Sequence, residues 1–315
     1  MQKKILTLGK VIVTLGLVYW LIQTVDWQGV RMELATVSWW MLGLYVVLQL
    51  LGNLISVRKW QIIAEYKGLS FSMKEGFFTY LTGAFVNNFF PSTIGGDTYR
   101  GPWLAKHTGA RAAALSTVVF DRFIGLWTIA LLGLILSFTL WESISTSLPL
   151  FLTLFALVGF LLADLVLTYV YCRPWFQGFI ARIPVQKLRR FLEEIVFYTK
   201  KEVWLRTSLW SALFIFVGVG LSNYALFHAL GMNVDFVPFL AVIFLVAVVS
   251  SVPVSINNIG IKEWAYVAFF GIIGVSVETA VTAALLSRFI QMLLSFLALP
   301  QYLSIRAEKK KEKEE

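Results

Sequence analysis

Six ionisable side chains stand inside otherwise apolar stretches of this sequence: Asp97, Asp121, Arg122, Asp164, Glu263 and Arg288. A charge near mid-depth in a bilayer costs about 2.5–3.5 kcal/mol on lenient scales unless it is paired or hydrated. Two kinds of chemistry fit such a set. Arg122 and Arg288 would present cations to an anionic headgroup or phosphate in a central cavity, since the planar guanidinium fork suits bidentate phosphate contact. The carboxylates would then orient the arginines or carry protons. The plainer use is internal neutralisation. Glu263 would pair with Lys262 or Arg288, and Asp121 with Arg122, although adjacent residues of a helix do not share a face.

Two polar interruptions accompany these charges. Residues 84–100, AFVNNFFPSTIGGDTYR, crowd Asn87, Asn88, Pro91, Ser92, Gly95, Gly96, Asp97 and Arg100 between apolar segments. Residues 250–264, SSVPVSINNIGIKEW, do the same with Asn257, Asn258, Gly260 and Glu263. Broken backbone at membrane depth survives only where protein or a water-filled cavity surrounds it. Pro91, Gly95, Gly96 and Gly260 would end half-helices, whose N-terminal N–H groups attract anions. The four asparagines would either satisfy freed backbone groups or bind substrate.

The elements that must hold these residues are membrane helices. With 58% apolar residues, only 14% charged and a mean hydropathy of +0.75, the chain leaves too little charge to cover a water-soluble surface. A net charge of +9 sits in short loops. It therefore reads as topology and contact with anionic lipid rather than nucleic acid. One cysteine excludes an intrachain disulfide, and His107 and His228 are too far apart to suggest a metal site. No cofactor is expected.

In chain order, apolar spans are expected at Ile5–Ile22, Val37–Ser56, Leu115–Leu140, Leu150–Tyr171, Leu205–Phe227 and Thr279–Leu303. The runs Phe77–Phe90 and 264–273 are too short to cross a hydrocarbon core roughly 30 Å thick. Basic segments at 1–4, 57–76, 173–204 and 306–315 alternate with neutral or acidic ones at 23–36, 141–148 and 228–235. The positive-inside rule then puts both termini in the cytoplasm. The fold class is an all-α polytopic membrane protein of about six full spans plus two re-entrant hairpins, with eight or more spans as the alternative. Residues 1–305 form one membrane domain. It includes a basic amphipathic surface segment at 173–204, and Arg58, Lys59 and Trp60, where the second span ends, would grip inner-leaflet phosphates or serve as positive-inside anchors. Residues 306–315 form a charged, disordered tail.

The two breaks resemble each other. FFPSTIGG (89–96) precedes Asp121-Arg122-Phe123-Ile124, and VPVSINNIG (252–260) precedes Arg288-Phe289-Ile290. One hairpin opens inward and the other outward, so repeat units around 77–140 and 236–304 would be inverted, a recurring transporter plan.

VRKW (57–60), NNFFPSTIGGDTYR (87–100), DRFIG (121–125), SVPVSINNIGIKE (251–263) and LLSRF (285–289) resemble the lysylphosphatidylglycerol synthase transmembrane-region family, also described as flippase-like. The resemblance spans most of the chain. It implies a lipid-translocating module without the cytosolic aminoacyl transferase of two-part members. Asn257-Asn258 stand where many relatives carry glycines, and Lys262 where they carry arginine.

The function expected is a carrier moving an anionic phospholipid or lipid-linked substrate between leaflets of a bacterial-type cytoplasmic membrane. Its partners would be membrane lipids with anionic headgroups. The sequence has no GxxxxGK[ST] loop, so the carrier would work without ATP hydrolysis. The expected headgroup path is Asn87, Asn88, Ser92, Gly95, Gly96, Asp97, Arg100, Asp121, Arg122, Asn257, Asn258, Gly260, Glu263 and Arg288. A membrane enzyme acting on a lipid phosphate or prenyl-linked sugar is a second reading, with Asp97, Asp121 and Asp164 as its acids. An ion channel or structural partner is a third.

Overall fold

The computed structural model describes residues 2–89, 95–144, 146–171, 173–196, 198 and 201–300. Pro91 and Ser92 of the first break, Cys172 and the charged tail lie outside them. Among the described residues the chain is α-helical. The first elements are α1 (Gln2–Thr24), α2 (Trp27–Ala35), α3 (Trp39–Glu65), α4 (Met73–Phe89), α5 (Asp97–Thr108) and α6 (Arg111–Ser137). A 3₁₀ turn, Phe138–Leu140, carries α6 into α7 (Trp141–Ile144). Then follow α8 (Leu148–Tyr171), α9 (Pro174–Ala181), α10 (Gln186–Val196), α11 (Lys201–Phe214) and α12 (Ser222–Ala229). The chain continues through α13 (Phe236–Ser251), α14 (Ile261–Phe270) and α15 (Val277–Ser295).

Among the described residues five helices are long and apolar enough to cross a membrane, or six if α1 and α2 count as one span bent by 78°. Residues 23–36, expected as a loop, thus contain a helix. Asp26 caps α2 by accepting from the Gln28 N–H at 2.9 Å, and α2 lies against α15. Trp39 and Trp40 stay outside at the start of α3, as the aromatic belt requires. The other end of α3 corrects the expectation. Nothing in Ser56–Glu65 breaks a helix, so α3 runs past Arg58-Lys59-Trp60 instead of ending there. Lys59 and Trp60 are buried, and Arg58 turns to Glu65 at 2.8 Å. Lys59 and Trp60 are therefore not surface anchors for headgroups.

The long helices meet where side chains are smallest. A Cβ on Gly52 of α3 would lie 2.7 Å from Cα of Gly218, and one on Gly218 would lie 3.0 Å from Cα of Gly52. Gly218 sits in a widened π-helical segment, Ile215–Leu221, joining α11 to α12. Gln49 fastens the crossing by donating to the Gly218 carbonyl at 3.1 Å and to Ser222 Oγ at 3.0 Å. In lipid, helices associate through such close backbone approach and interhelical hydrogen bonds rather than water exclusion.

Around this crossing the two halves exchange elements. The helix before the second break, α13, packs along α6, and the helix before the first, α4, packs along α15. Phe227, Phe239 and Phe270 form an aromatic cluster inside the second half, with centroids 4.3–5.3 Å apart. Much of the aromatic content is therefore core and not belt. The amphipathic α10 is drawn onto α6, where Lys67 holds Glu194 at 2.5 Å.

Gly52→Val should lower the thermal unfolding midpoint in detergent, because the backbones at the crossing must separate at a cost of about 1–3 kcal/mol. Gly43→Ala on the same helix has open space around its new methyl group and should leave stability equal or raised by up to about 1 kcal/mol. Equal midpoints for both variants would contradict this crossing.

Candidate functional site

Each break is closed by an acid at the start of a short helix and an arginine on the long helix that follows. In the first half, Asp97 lies in the first turn of α5, and its Oδ2 accepts from Nε of Arg122 on α6 at 2.7 Å. In the second, Glu263 lies in the first turn of α14, and its Oε1 accepts from Nε of Arg288 on α15 at 3.0 Å. The sequence separation is 25 residues in both cases. Gly218, Glu263 and Arg288 follow Gly52, Asp97 and Arg122 at one constant interval of 166 residues. Left-handed Gly109 and Gly274 turn each short helix into its long neighbour.

The pairs differ in depth. The Arg122 side chain is 55% exposed and that of Arg288 28%, whereas Glu263 is 2% exposed. Arg288 donates to Glu263 through Nε and Nη2, to the Asn257 carbonyl through Nη1 at 3.0 Å, and to the Asn258 carbonyl through Nη2 at 3.0 Å. Asn257 and Asn258 both adopt positive φ, 48° and 56°. Such a backbone is rare outside glycine and costs of order 1–3 kcal/mol per residue unless its surroundings enforce it. Arg288 enforces it by gathering both carbonyls. Gly260 has φ +85°, and a Cβ there would strike Leu17 of α1 at 2.4 Å. Its N–H donates to Glu263 Oε2 at 2.7 Å. Glu263 is thereby fixed on both oxygens.

The first half adds a buried charge cluster. Asp121, on α6, receives Lys59 Nζ at 2.9 Å, Arg100 Nη2 at 2.9 Å and the Tyr80 hydroxyl at 2.8 Å. Arg100 also approaches Asp97 at 3.5 Å and lies over the rings of Tyr80 and Trp60, 4.1 and 5.1 Å from their centroids. Trp60 donates its indole N–H to Thr117 at 3.0 Å. Four helices converge on one carboxylate: α3, α4, α5 and α6. Asp121 and Arg122, being adjacent, point to different partners, as the helix geometry requires.

The asparagines mostly serve the backbone. Asn87 Oδ1 accepts from the Gly96 N–H at 2.5 Å, while Asn88 Nδ2 donates to Ser295 Oγ at 2.8 Å and so ties α4 to α15. The Gly95 carbonyl accepts from Thr98 Oγ1 at 2.6 Å. Gly96 presses on Gly83, whose carbonyl oxygen a Cβ would meet at 2.5 Å. The structure thus gathers Asp97, Arg100, Asp121 and Arg122 at the first break and Asn257, Asn258, Gly260, Glu263 and Arg288 at the second. Asp164 belongs to neither and lies on α8.

Sequence reasoning missed Lys59, Trp60 and Tyr80 as members of the cluster, and Lys262 and Ser287 beside the second break. Lys59 had one signal, the lack of any helix breaker after Ser56. Tyr80 had none, because its partner lies 41 residues away. Among the described residues no group of three or more His, Cys, Asp or Glu is placed to hold a metal ion.

Residues 7–298 match the family described as lysylphosphatidylglycerol synthase TM region. The chain belongs to that family. A curated relative, UPF0104 membrane protein MJ1595 of Methanocaldococcus jannaschii, is 23% identical over 266 residues, covering 79% of each chain. Membership makes this a lipid-handling, flippase-like, multi-pass integral membrane protein. The region matched is the membrane part of the synthase family, which fits a non-enzymatic transporter.

If Asp121 holds Lys59 and Arg100 in place, Asp121→Asn leaves two buried cations short of their counter-charge. Breaking a buried pair in this way costs about 3–5 kcal/mol. Arg122→Gln removes the more exposed pair and should cost no more than about 1 kcal/mol. Thermal unfolding of the two variants in detergent should separate them clearly, and equal losses would overturn this assignment.

Proposed function

We propose that this family member moves an anionic phospholipid or lipid-linked substrate between bilayer leaflets without hydrolysing ATP. The observation that carries the reading is the pair of equivalent closures, Asp97–Arg122 and Glu263–Arg288, one at each break with equal spacing. A carrier that exposes a site alternately to two leaflets needs two closures that open in turn. An inverted duplication supplies two from one design.

The helix lengths support the same scheme. At 1.5 Å per residue, α4 and α13 reach only roughly 25 Å, short of a hydrocarbon core of roughly 30 Å. Each therefore enters and turns back as a re-entrant hairpin with α5 or α14. The six full spans are then α1 with α2, α3, α6, α8, α11 with α12, and α15. Both termini lie in the cytoplasm of a bacterial-type inner membrane, on the side of the basic segments.

Chemically, opening is an exchange of anions. A phosphate offers an arginine the same two-oxygen edge as a carboxylate, so a headgroup can replace Asp97 on Arg122 without leaving a bare cation. The displaced carboxylate then takes up a proton or turns towards Arg100, already 3.5 Å away. Arg122, more than half exposed, is the side chain that first meets the headgroup. The remaining members of the path are Asn87, Asn88, Ser92, Gly95, Gly96, Asp97, Arg100 and Asp121 at the first break, with Asn257, Asn258, Gly260, Glu263 and Arg288 at the second. The acyl tails stay in lipid.

The test is transbilayer movement of head-labelled anionic phospholipids in liposomes carrying the purified protein, read with an impermeant quencher. Arg122→Gln should insert and fold yet lower the rate roughly tenfold or more, the value of a charge-assisted hydrogen bond. A rate unchanged in Arg122→Gln, or no protein-dependent movement of any anionic lipid tried, would sink the proposal.

A further inference from the structure

The second break holds a lysine that forms no ion pair with Glu263. Lys262 precedes Glu263 on α14, and its Nζ donates to Ser287 Oγ at 2.8 Å. It lies 5.7 Å from the centroid of the Tyr266 ring. Among the described residues no carboxylate lies within ion-pair distance of it, because Glu263 is bound to Arg288 and to the Gly260 N–H.

Comparison of the halves explains the vacancy of charge. At the constant interval that relates Asp97 to Glu263, Asp121 corresponds to Ser287 and Arg100 to Tyr266. In the first half Asp121 absorbs the charge of Lys59 and Arg100. In the second a neutral hydroxyl occupies the place of that acid, yet a lysine still points at it. Arg288 is meanwhile committed through four hydrogen bonds to Glu263 and the two strained carbonyls. Its guanidinium holds the break, which leaves the ammonium as the cation with charge to spare. Among the described residues, the direct contacts of this partly buried ammonium are a hydroxyl and a ring, and none of them is an anion. Around the same break, Ser255 Oγ and Asn258 Oδ1 are buried without a hydrogen-bond partner, so unused polar capacity accompanies the unneutralised cation.

We infer that Lys262, with Ser287 beside it, binds the phosphate group of a lipid-borne substrate in the second half, while Arg288 positions the backbone around it. The inference rests on the carrier reading and adds to its path a phosphate-binding residue of the second half, beside the Glu263–Arg288 closure. The ammonium would hold a phosphate oxygen as a point charge, and the Ser287 hydroxyl would be released to donate a second bond. No covalent step is involved.

The experiment uses the full chain purified in a neutral detergent, with dodecyl phosphate as probe and inorganic phosphate and dodecanol as controls. Dodecyl phosphate should bind wild type and Lys262→Arg, with affinity lower by roughly tenfold or more in Lys262→Gln. Inorganic phosphate should bind more weakly than dodecyl phosphate, and dodecanol should not depend on Lys262. Should Lys262→Gln not fold, protection answers instead. Dodecyl phosphate should shield the Lys262 amine of wild type from an acylating reagent, read residue by residue by mass spectrometry. Undiminished affinity in Lys262→Gln, or an unshielded amine, overturns the assignment. Equal affinity for inorganic phosphate overturns its lipid-borne part. Lys262-dependent binding in a protein that moves no lipid would remove the carrier reading and leave this site standing. Wild-type lipid movement undiminished in Lys262→Gln would do the reverse.

Discussion

Everything at the first break depends on the desolvated carboxylate of Asp121. A buried anion persists only while its partners stay, and here those partners come from α3, α4 and α5. Lys59 needs the continuation of α3 beyond Ser56, Tyr80 needs α4 to lie beside it, and Arg100 needs α5 to start at Asp97. Three helices thus meet at one side chain on α6, and the Trp60–Thr117 and Arg122–Asp97 contacts add to the hold of α3 and α5 on that helix. The aromatic faces of Trp60 and Tyr80 complete the enclosure by stacking on Arg100.

The second half reaches a similar shape by another route. There the backbone itself carries the strain, at Asn257, Asn258 and Gly260, and Arg288 collects the carbonyls that the strain turns inward. Aromatic packing of Phe227, Phe239 and Phe270 replaces the buried charges that stiffen the first half. One acid–arginine closure is thus mounted on two different supports, one electrostatic and one steric.

Between the halves, the Gly52–Gly218 crossing brings the long helices close enough for Gln49 to reach across. The swapped packing of α4 on α15 and α13 on α6 joins the helix before each break to the long helix of the other half. Asn88, bonded to Ser295, is a direct polar link between a break-bearing helix of one half and the long helix of the other. The matched interval from Gly52 to Gly218, Asp97 to Glu263 and Arg122 to Arg288 supports duplication better than the prolines do. Pro91 and Pro253 stand at unequal distances from their arginines, since the loop between proline and acid tolerates a change of length and the acid–arginine contact does not.

The sequence by itself determined the membrane class, the two breaks and the set of charges too deep to be accidental. Each follows from local composition, because hydrocarbon excludes charge and unpaired backbone wherever they occur along the chain. It also limited the partners of Glu263 to Lys262 or Arg288, and Arg288 is the one found. Tertiary structure alone decided that Asp121 binds Lys59 and Arg100 rather than Arg122, and that Arg122 reaches Asp97. It decided too that Val57, Lys59 and Trp60 are buried and that residues 23–36 contain a helix. These outcomes depend on which helix lies beside which. Partners 21 to 62 residues apart leave no periodic trace in either segment. Only the packing of α3 through α6 brings Lys59, Arg100 and Arg122 onto the two carboxylates of Asp97 and Asp121.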